Sequence, residues 1–199
     1  MIGIIDIGLS NFKSVQKALD KLNANHRKVT GLDDFEDLTK LIFPGVGSYS
    51  AAMQRLNQNQ LVKPIKDHIK SGKSYLGICL GMQLLSHNGF EGGLTEGLGV
   101  LDADVVCMKP ASNEPLPHIG WNQINHDGKG LFADISKDAD FYFVHSYYMQ
   151  LREQVVNFSV DYGGLHTCFI QKGNVIGAQF HPEKSQKVGL RFLENFLNA

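Results

Sequence analysis

Gly77-Ile78-Cys79-Leu80-Gly81 sets a thiol between two glycines, after an apolar run and before a segment that reads as a helix. A strand, a nucleophile and a helix in that order describe a nucleophile elbow. A sharp strand-to-helix turn brings backbone close to the nucleophile, so side chains at the two flanking positions would collide. A sulfur at a helix N-terminus is also favoured as thiolate, the attacking species, by the exposed N–H groups and the helix dipole. Taken alone, G-x-C-x-G describes many buried structural cysteines. The rest of the chain has to decide.

His181-Pro182-Glu183 lies far downstream, at the end of a strand-like segment. Pro182 biases His181 toward extended backbone, in which residues two apart project to one side. Glu183 can then orient the imidazole, with His181 as general base and later general acid. Pro44-Gly45-Val46-Gly47 is a glycine-bounded turn whose backbone N–H groups can face a developing oxyanion, with the Leu80 N–H as the other donor. The turn lacks the third glycine and downstream acid of a dinucleotide site, so no cofactor is expected. None of the eight histidines forms H-x-x-x-H or H-E-x-x-H, so no metal site is expected either.

The elements that must position these groups are legible in the apolar pattern. Ile2 to Asp6, Leu41 to Phe43 and Ser74 to Ile78 read as buried strands. Between them, Ser10-Asn11 can cap a helix through Phe12, Val15, Leu19 and Leu22, and further helices start near Ser50, span Val62 to Ser71, and begin at Leu80. Strands alternating with helices predict a parallel sheet covered on both faces. Beyond Gly99 the chain turns β-rich, with Val100 to Cys107, Trp121 to Ile124, Phe141 to His145, Val155 to Tyr162, His166 to Gln171 and Asn174 to Phe180, then a helix from Ser185 to Leu197. The fold class is α/β: one domain over 1–199, with a mixed, mostly parallel central sheet flanked by helices and antiparallel β additions.

Of the 199 residues 43% are hydrophobic and 20% charged, the composition of a globular protein with a real core. Net charge is -1 without a basic block, which argues against a nucleic-acid partner. The N-terminus does not read as a signal peptide and no apolar run reaches the roughly 18 residues of a spanning helix, so a cytoplasmic location away from membranes is expected. Cys79, Cys107 and Cys168 are far apart with no C-x-x-C pair, against a disulfide framework or zinc. Cys107 and Cys168 are expected as small buried hydrophobes.

P-G-V-G at 44–47, L-G-I-C-L-G-M-Q at 76–83, P-H-I-G-W-N at 117–122, Y-F-V-H-S-Y at 142–147 and Q-F-H-P-E-K-S at 179–185 resemble the glutaminase subunits of imidazole glycerol phosphate synthase. These are class I glutamine amidotransferases with a flavodoxin-like sheet. The resemblance covers nearly the whole chain. It implies that Cys79, His181 and Glu183 hydrolyse L-glutamine to glutamate and ammonia through a glutamyl thioester. It implies that Gln83 and His145-Ser146-Tyr147 hold the α-amino and α-carboxylate groups, partly through backbone atoms. It further implies a heterodimer with a (β/α)8-barrel cyclase, which takes the ammonia through a channel and converts PRFAR to imidazole glycerol phosphate and AICAR in histidine biosynthesis. Asn11, Trp121, Tyr147 and Lys184 match positions near that subunit contact.

If the Val46 N–H points away from the substrate until the partner and its ligand bind, the lone subunit is nearly inactive. The family pattern near the N-terminus is broken by Ile7, Leu9 and Ser10, while Gly8 and Asn11 keep it. That change favours, as an alternative, a paralogous glutaminase serving another synthase such as a surface-sugar amidating enzyme. A non-catalytic partner-binding module is the other alternative, against which the complete Cys-His-Glu set argues.

Overall fold

An apolar run without polar interruptions suits an interior parallel strand, because such a strand has no wet face. Ile2–Ile5, buried along its length, is β1. The structure, a computed structural model, describes residues 1–9, 11–111 and 114–199. After β1 come α1 (Phe12–Lys21), β2 (His26–Val29), β3 (Lys40–Gly45), α2 (Tyr49–Gln58), α3 (Val62–Lys70), β4 (Ser74–Cys79) and the one-turn α4 (Leu80–Gln83). Short β5 (Asn88–Gly89) and β6 (Thr95–Glu96) precede β7 (Ala103–Cys107), β8 (His118–Gln123), β9 (Asp140–His145) and β10 (Tyr147–Leu151). The chain ends with β11 (Val156–Asp161), β12 (Leu165–Lys172), β13 (Val175–Ala178) and α5 (Gln186–Asn198).

Seven strands form the main sheet in the order β11-β12-β13-β4-β3-β1-β2. From β13 to β2 every pairing is parallel, while β12 and β11 add antiparallel pairings at one edge. β10, β7, β5 and β6 make a second sheet, and β8 with β9 an antiparallel pair. This is the expected mixed, mostly parallel α/β architecture. Alternate residues of the central strands feed two cores. Ile4, Ile42 and Ile78 pack with Val15 and Leu19 of α1 and with Phe192 and Phe196 of α5. Leu41, Phe43 and Tyr75 face the other way, against Met53, Leu56 and Ile65. Each such fully buried side chain contributes about 1.5–3 kcal/mol of transfer free energy.

Several expectations need correcting. The helix at Leu80 lasts four residues, so it carries little macrodipole and the dipole argument for a thiolate loses its support. Ser86 helps end it: its Oγ donates to the Gln83 carbonyl at 2.8 Å, replacing the next helical partner. Asn11 occupies the N-cap position of α1 without capping it, and the Ser10 half of that expectation lies outside the described residues. Cys168 is buried but Cys107, at the far end of β7, is exposed. β8 starts at His118, three positions before the expected Trp121, and Ile124 is only an isolated bridge to Val160. β2 and β10 are strands that the apolar pattern does not announce. Among the described residues no helix is long and apolar enough to cross a membrane.

Candidate active site

β3 and β4 end side by side, with Gly45 opposite Cys79 in parallel register. In open parallel sheets ligands bind outside the carboxyl ends of the strands, and Cys79 stands there. Its backbone, φ 52 and ψ −108, is one that L residues rarely adopt. Such a conformation costs on the order of 1–3 kcal/mol and persists only where the surroundings impose it. The flanking glycines show what imposes it. A Cβ at Gly77 would lie 2.3 Å from the Gly81 oxygen, and one at Gly81 only 1.9 Å from the Phe43 oxygen. The elbow is therefore as tight as the glycine spacing implies.

β13 runs parallel to β4, with Ala178 opposite Ile78, so the chain leaving β13 delivers His181 to the same edge. The His181 N–H donates to the Tyr142 carbonyl at 2.9 Å, and Ser185 Oγ donates to the His181 carbonyl at 2.7 Å. His181 is extended as Pro182 requires, but Pro182–Lys184 then form a 3-10 turn. Glu183 thus reaches the ring by a turn, not along a strand. The His181 Nδ1–H donates to Glu183 Oε1 at 2.7 Å, with both side chains buried. Asn11 Nδ2 donates to the same oxygen at 3.0 Å, which is what the unused cap is doing. No nitrogen or oxygen among the described residues partners the His181 Nε2, and the Cys79 sulfur, which interacts with the ring, is the group left for proton exchange.

Burial opposes a charge on His181, yet the Cys79 sulfur and the Glu183 carboxylate outweigh it and push the imidazole up to about 10. Burial likewise opposes the Glu183 charge, and the hydrogen bonds from His181 and Asn11 hold the carboxyl below its usual range. The orphaned Glu183 Oε2 sharpens a mutational expectation. In Glu183→Gln the amide oxygen can keep the Oε1 bonds and the correct His181 tautomer, with NH2 placed at the Oε2 position. Glutamine turnover should fall about 10–100-fold for Glu183→Gln but about 10³–10⁴-fold for His181→Ala, which removes the proton carrier. Steady-state glutamate release measures both; equal rates for Glu183→Gln and the parent chain would remove Glu183 from the triad.

A cavity of about 260 Å³ opens over the sulfur, lined by Val46, Gly47, Leu80, Gln83, Ser146 and Tyr147, with Glu91 and His145 on its wall. The Val46 N–H is not directed at an oxyanion: it donates to the Leu9 carbonyl at 2.9 Å. It belongs to the Gly45–Val46 peptide, and Gly47 beyond it sits at φ 111, so glycines flank the segment that would turn. Gly45 has a second duty, since a Cβ there would meet the Leu80 Cβ at 2.8 Å.

His145 does not offer its ring to a ligand. Nδ1–H donates to the Tyr147 carbonyl at 2.9 Å and Nε2 accepts from His118 Nδ1 at 3.1 Å. Burial pushes His145 down to about 3 and His118 down to about 4, so both are neutral at neutral pH. Trp121 is 46% exposed and edge-on to Tyr142, and exposed Lys184 lies over the same ring, 5.5 Å from its centre. Nothing in the sequence singles out Glu91. It follows a short strand in an ordinary E-G-G turn, and only the fold carries its Oε2 to the Tyr49 N–H at 2.7 Å on the cavity wall.

Residues 3–199 match the family model for glutamine amidotransferase class-I. An imidazole glycerol phosphate synthase subunit HisH of Rhodopirellula baltica is 42% identical over 200 residues, covering 100% of this chain and 98% of its own length. The subunit HisH of Moorella thermoacetica is 46% identical, covering 98% of this chain and 93% of its own. Among solved structures, a glutamine amidotransferase superposes with TM-score 0.77 at 21% identity over 98% of both chains. PurLQS from Thermotoga maritima gives TM-score 0.75 at 17% identity, over 99% of this chain and 97% of that one. With the elbow, the histidine and the carboxylate already in place at one sheet edge, this likeness along the whole sequence settles the kinship: the chain belongs to the class-I glutamine amidotransferase family.

Proposed function

We propose that residues 1–199 act as one glutaminase domain, the ammonia-releasing subunit of an imidazole glycerol phosphate synthase. The observation that carries the reading is the buried His181–Glu183 pair at 2.7 Å beside a cysteine held at φ 52. Cys79 Sγ attacks the carboxamide carbon of L-glutamine. The C–N bond breaks as His181 gives its proton to nitrogen, releasing ammonia and leaving a γ-glutamyl thioester. Water then adds, His181 takes its proton, and the C–S bond breaks to free glutamate. The Gln83 Oε1 and the Glu91 carboxylate supply acceptors suited to the α-ammonium group, while Ser146 and Tyr147 contribute backbone at the α-carboxylate end. His145 acts through its backbone and through the wall it builds.

The Leu80 N–H is one oxyanion donor and the Val46 N–H the other, once it leaves Leu9. While Val46 is bonded to Leu9 the hole is incomplete, which suits a subunit that waits for its partner. The partner is a (β/α)8-barrel cyclase converting PRFAR to imidazole glycerol phosphate and AICAR, and Asn11, Trp121, Tyr147 and Lys184 lie toward it. Free ammonia would be protonated and lost as a nucleophile in bulk water, so direct transfer matters. The test measures glutamate release by the chain alone, with a histidine-pathway cyclase subunit, and with that subunit plus PRFAR. Activation of about 10²-fold or more in the last mixture is expected, the scale of one oxyanion donor. Full activity of the isolated chain would refute the restraint on Val46. A reactive Cys79 without activation would redirect the ammonia to another synthase, the reading that the altered Ile7–Leu9 segment favours.

A further inference from the structure

Gln179 opens the Q-F-H-P-E segment, two residues before His181, and its side chain is fully buried. A buried amide must place an oxygen acceptor and nitrogen donors, so its two partners fix its orientation. One partner is Gln83, whose Nε2 donates to Gln179 Oε1 at 3.0 Å. The other is the nucleophile: Gln179 Nε2 lies 3.5 Å from Cys79 Sγ.

The polarity of this contact follows from a backbone carbonyl that can only accept. Gln83 Nε2 donates to the Tyr147 carbonyl at 2.9 Å, so turning the Gln83 amide round would set two oxygens face to face. With Gln83 so held, Gln179 must present its oxygen to Gln83 and its N–H to the sulfur. The same Tyr147 carbonyl receives the His145 Nδ1–H at 2.9 Å, and His145 receives His118 at 3.1 Å. The amide aimed at Cys79 is thus the last member of a buried hydrogen-bond network, not a loose side chain. The competing contact, from the thiol to the Val144 carbonyl, is longer, at 3.9 Å.

We propose that Gln179 is a further catalytic residue of this glutaminase, donating its amide N–H to the Cys79 sulfur anion while its carbonyl oxygen holds Gln83 at the cavity wall. The proposal rests on the glutaminase reading above. An N–H donor stabilises the anion over the thiol, and in a buried site it does so with little competition from water. It acts twice in the cycle. It favours the attacking form before the C–S bond forms, and it receives the sulfur as the leaving group when water cleaves that bond. With only four residues in α4, a side-chain donor supplies what a long helix would otherwise offer.

The test is iodoacetamide alkylation of the full chain across pH, followed at the peptide containing Cys79 so that exposed Cys107 does not interfere. Gln179→Leu removes both links. Gln179→Glu keeps an oxygen for Gln83 but no N–H for the sulfur. Both should raise the alkylation midpoint by about one pH unit, a tenfold loss of reactive sulfur below it. The KM for glutamine should rise in Gln179→Leu and much less in Gln179→Glu, because only the first removes one of the two acceptors that hold the Gln83 amide. An unchanged midpoint in Gln179→Leu, with circular dichroism showing a folded chain, overturns the proposal. Should Gln179→Leu not fold, the neutral Gln179→Met decides, because a glutamate beside the sulfur raises the midpoint by its own charge as well. Alkylation needs no glutamine, so failure of the glutaminase reading, seen as no glutamine turnover by the parent chain with any partner, is separable from failure of this proposal.

Discussion

Replacing Cys79 by alanine should lower glutamine-dependent glutamate release by at least about 10⁴-fold, because among the described residues the cavity is lined by no second thiol and the His181 ring serves this sulfur. The fold should survive. Cys79 is small and 7% exposed, and both residues carry one Cβ at the same strained φ, so the backbone cost is unchanged. The loss of a buried sulfur should cost about 1 kcal/mol, within the ordinary range for a core truncation. The partner's use of free ammonium should be unaffected, since that path bypasses the cysteine. Parallel assays with glutamine and with ammonium salts separate the two. Glutamine turnover within tenfold of the parent chain would refute the nucleophile assignment.

Gly81→Ala should be among the most damaging single methyl additions near the elbow. Its Cβ would meet the Phe43 oxygen at 1.9 Å, and that oxygen belongs to β3, whose register with β4 places Gly45 beside Cys79. Backbone cannot step aside as a flexible side chain would. The clash must be relieved by spreading the two strands or by opening the elbow, at a cost of roughly 3 kcal/mol or more. A melting temperature lower by about 10 °C is expected for a chain of this size. Gly31→Ala serves as control: its φ of −148 is ordinary, nothing lies within 4 Å, and the melting temperature should hold. An equally stable Gly81→Ala chain would mean that the elbow is looser than its geometry.

Much of this arrangement is legible in the amino-acid sequence, for physical reasons that differ by element. β1, β3 and β4 are buried on both faces, so their sequences are continuous apolar runs. Gly77 and Gly81 mark themselves because only glycine fits where backbone approaches backbone. β2 leaves no such mark, because an edge strand reading His26-Arg27-Lys28-Val29 is mostly solvated and carries no apolar alternation. β10 is equally hard to read, being half-exposed and held by pairing to β7, a partner distant in sequence. Asn11 is legible as a cap, yet a carboxylate 172 residues away claims its side chain, and local spacing contains no trace of that. Glu91 is silent for the same reason, since a lone acid in a turn is ordinary until the fold brings it to the site, and Gln179, though it opens the Q-F-H-P-E segment, carries no sequence signal of its contact with a sulfur 100 residues away. Cys107 misleads because a strand-like sequence does not say where the strand outruns its covering layer.

The central claim is that Cys79 carries the glutamyl group, and acid-quench mass spectrometry of the chain turning over glutamine with its activating partner tests it most directly. A γ-glutamyl adduct on the peptide containing Cys79, lengthened in lifetime by Glu183→Gln and absent in Cys79→Ala, is the predicted result. Glutamate release without any adduct at Cys79, or an adduct confined to Cys107, would contradict it.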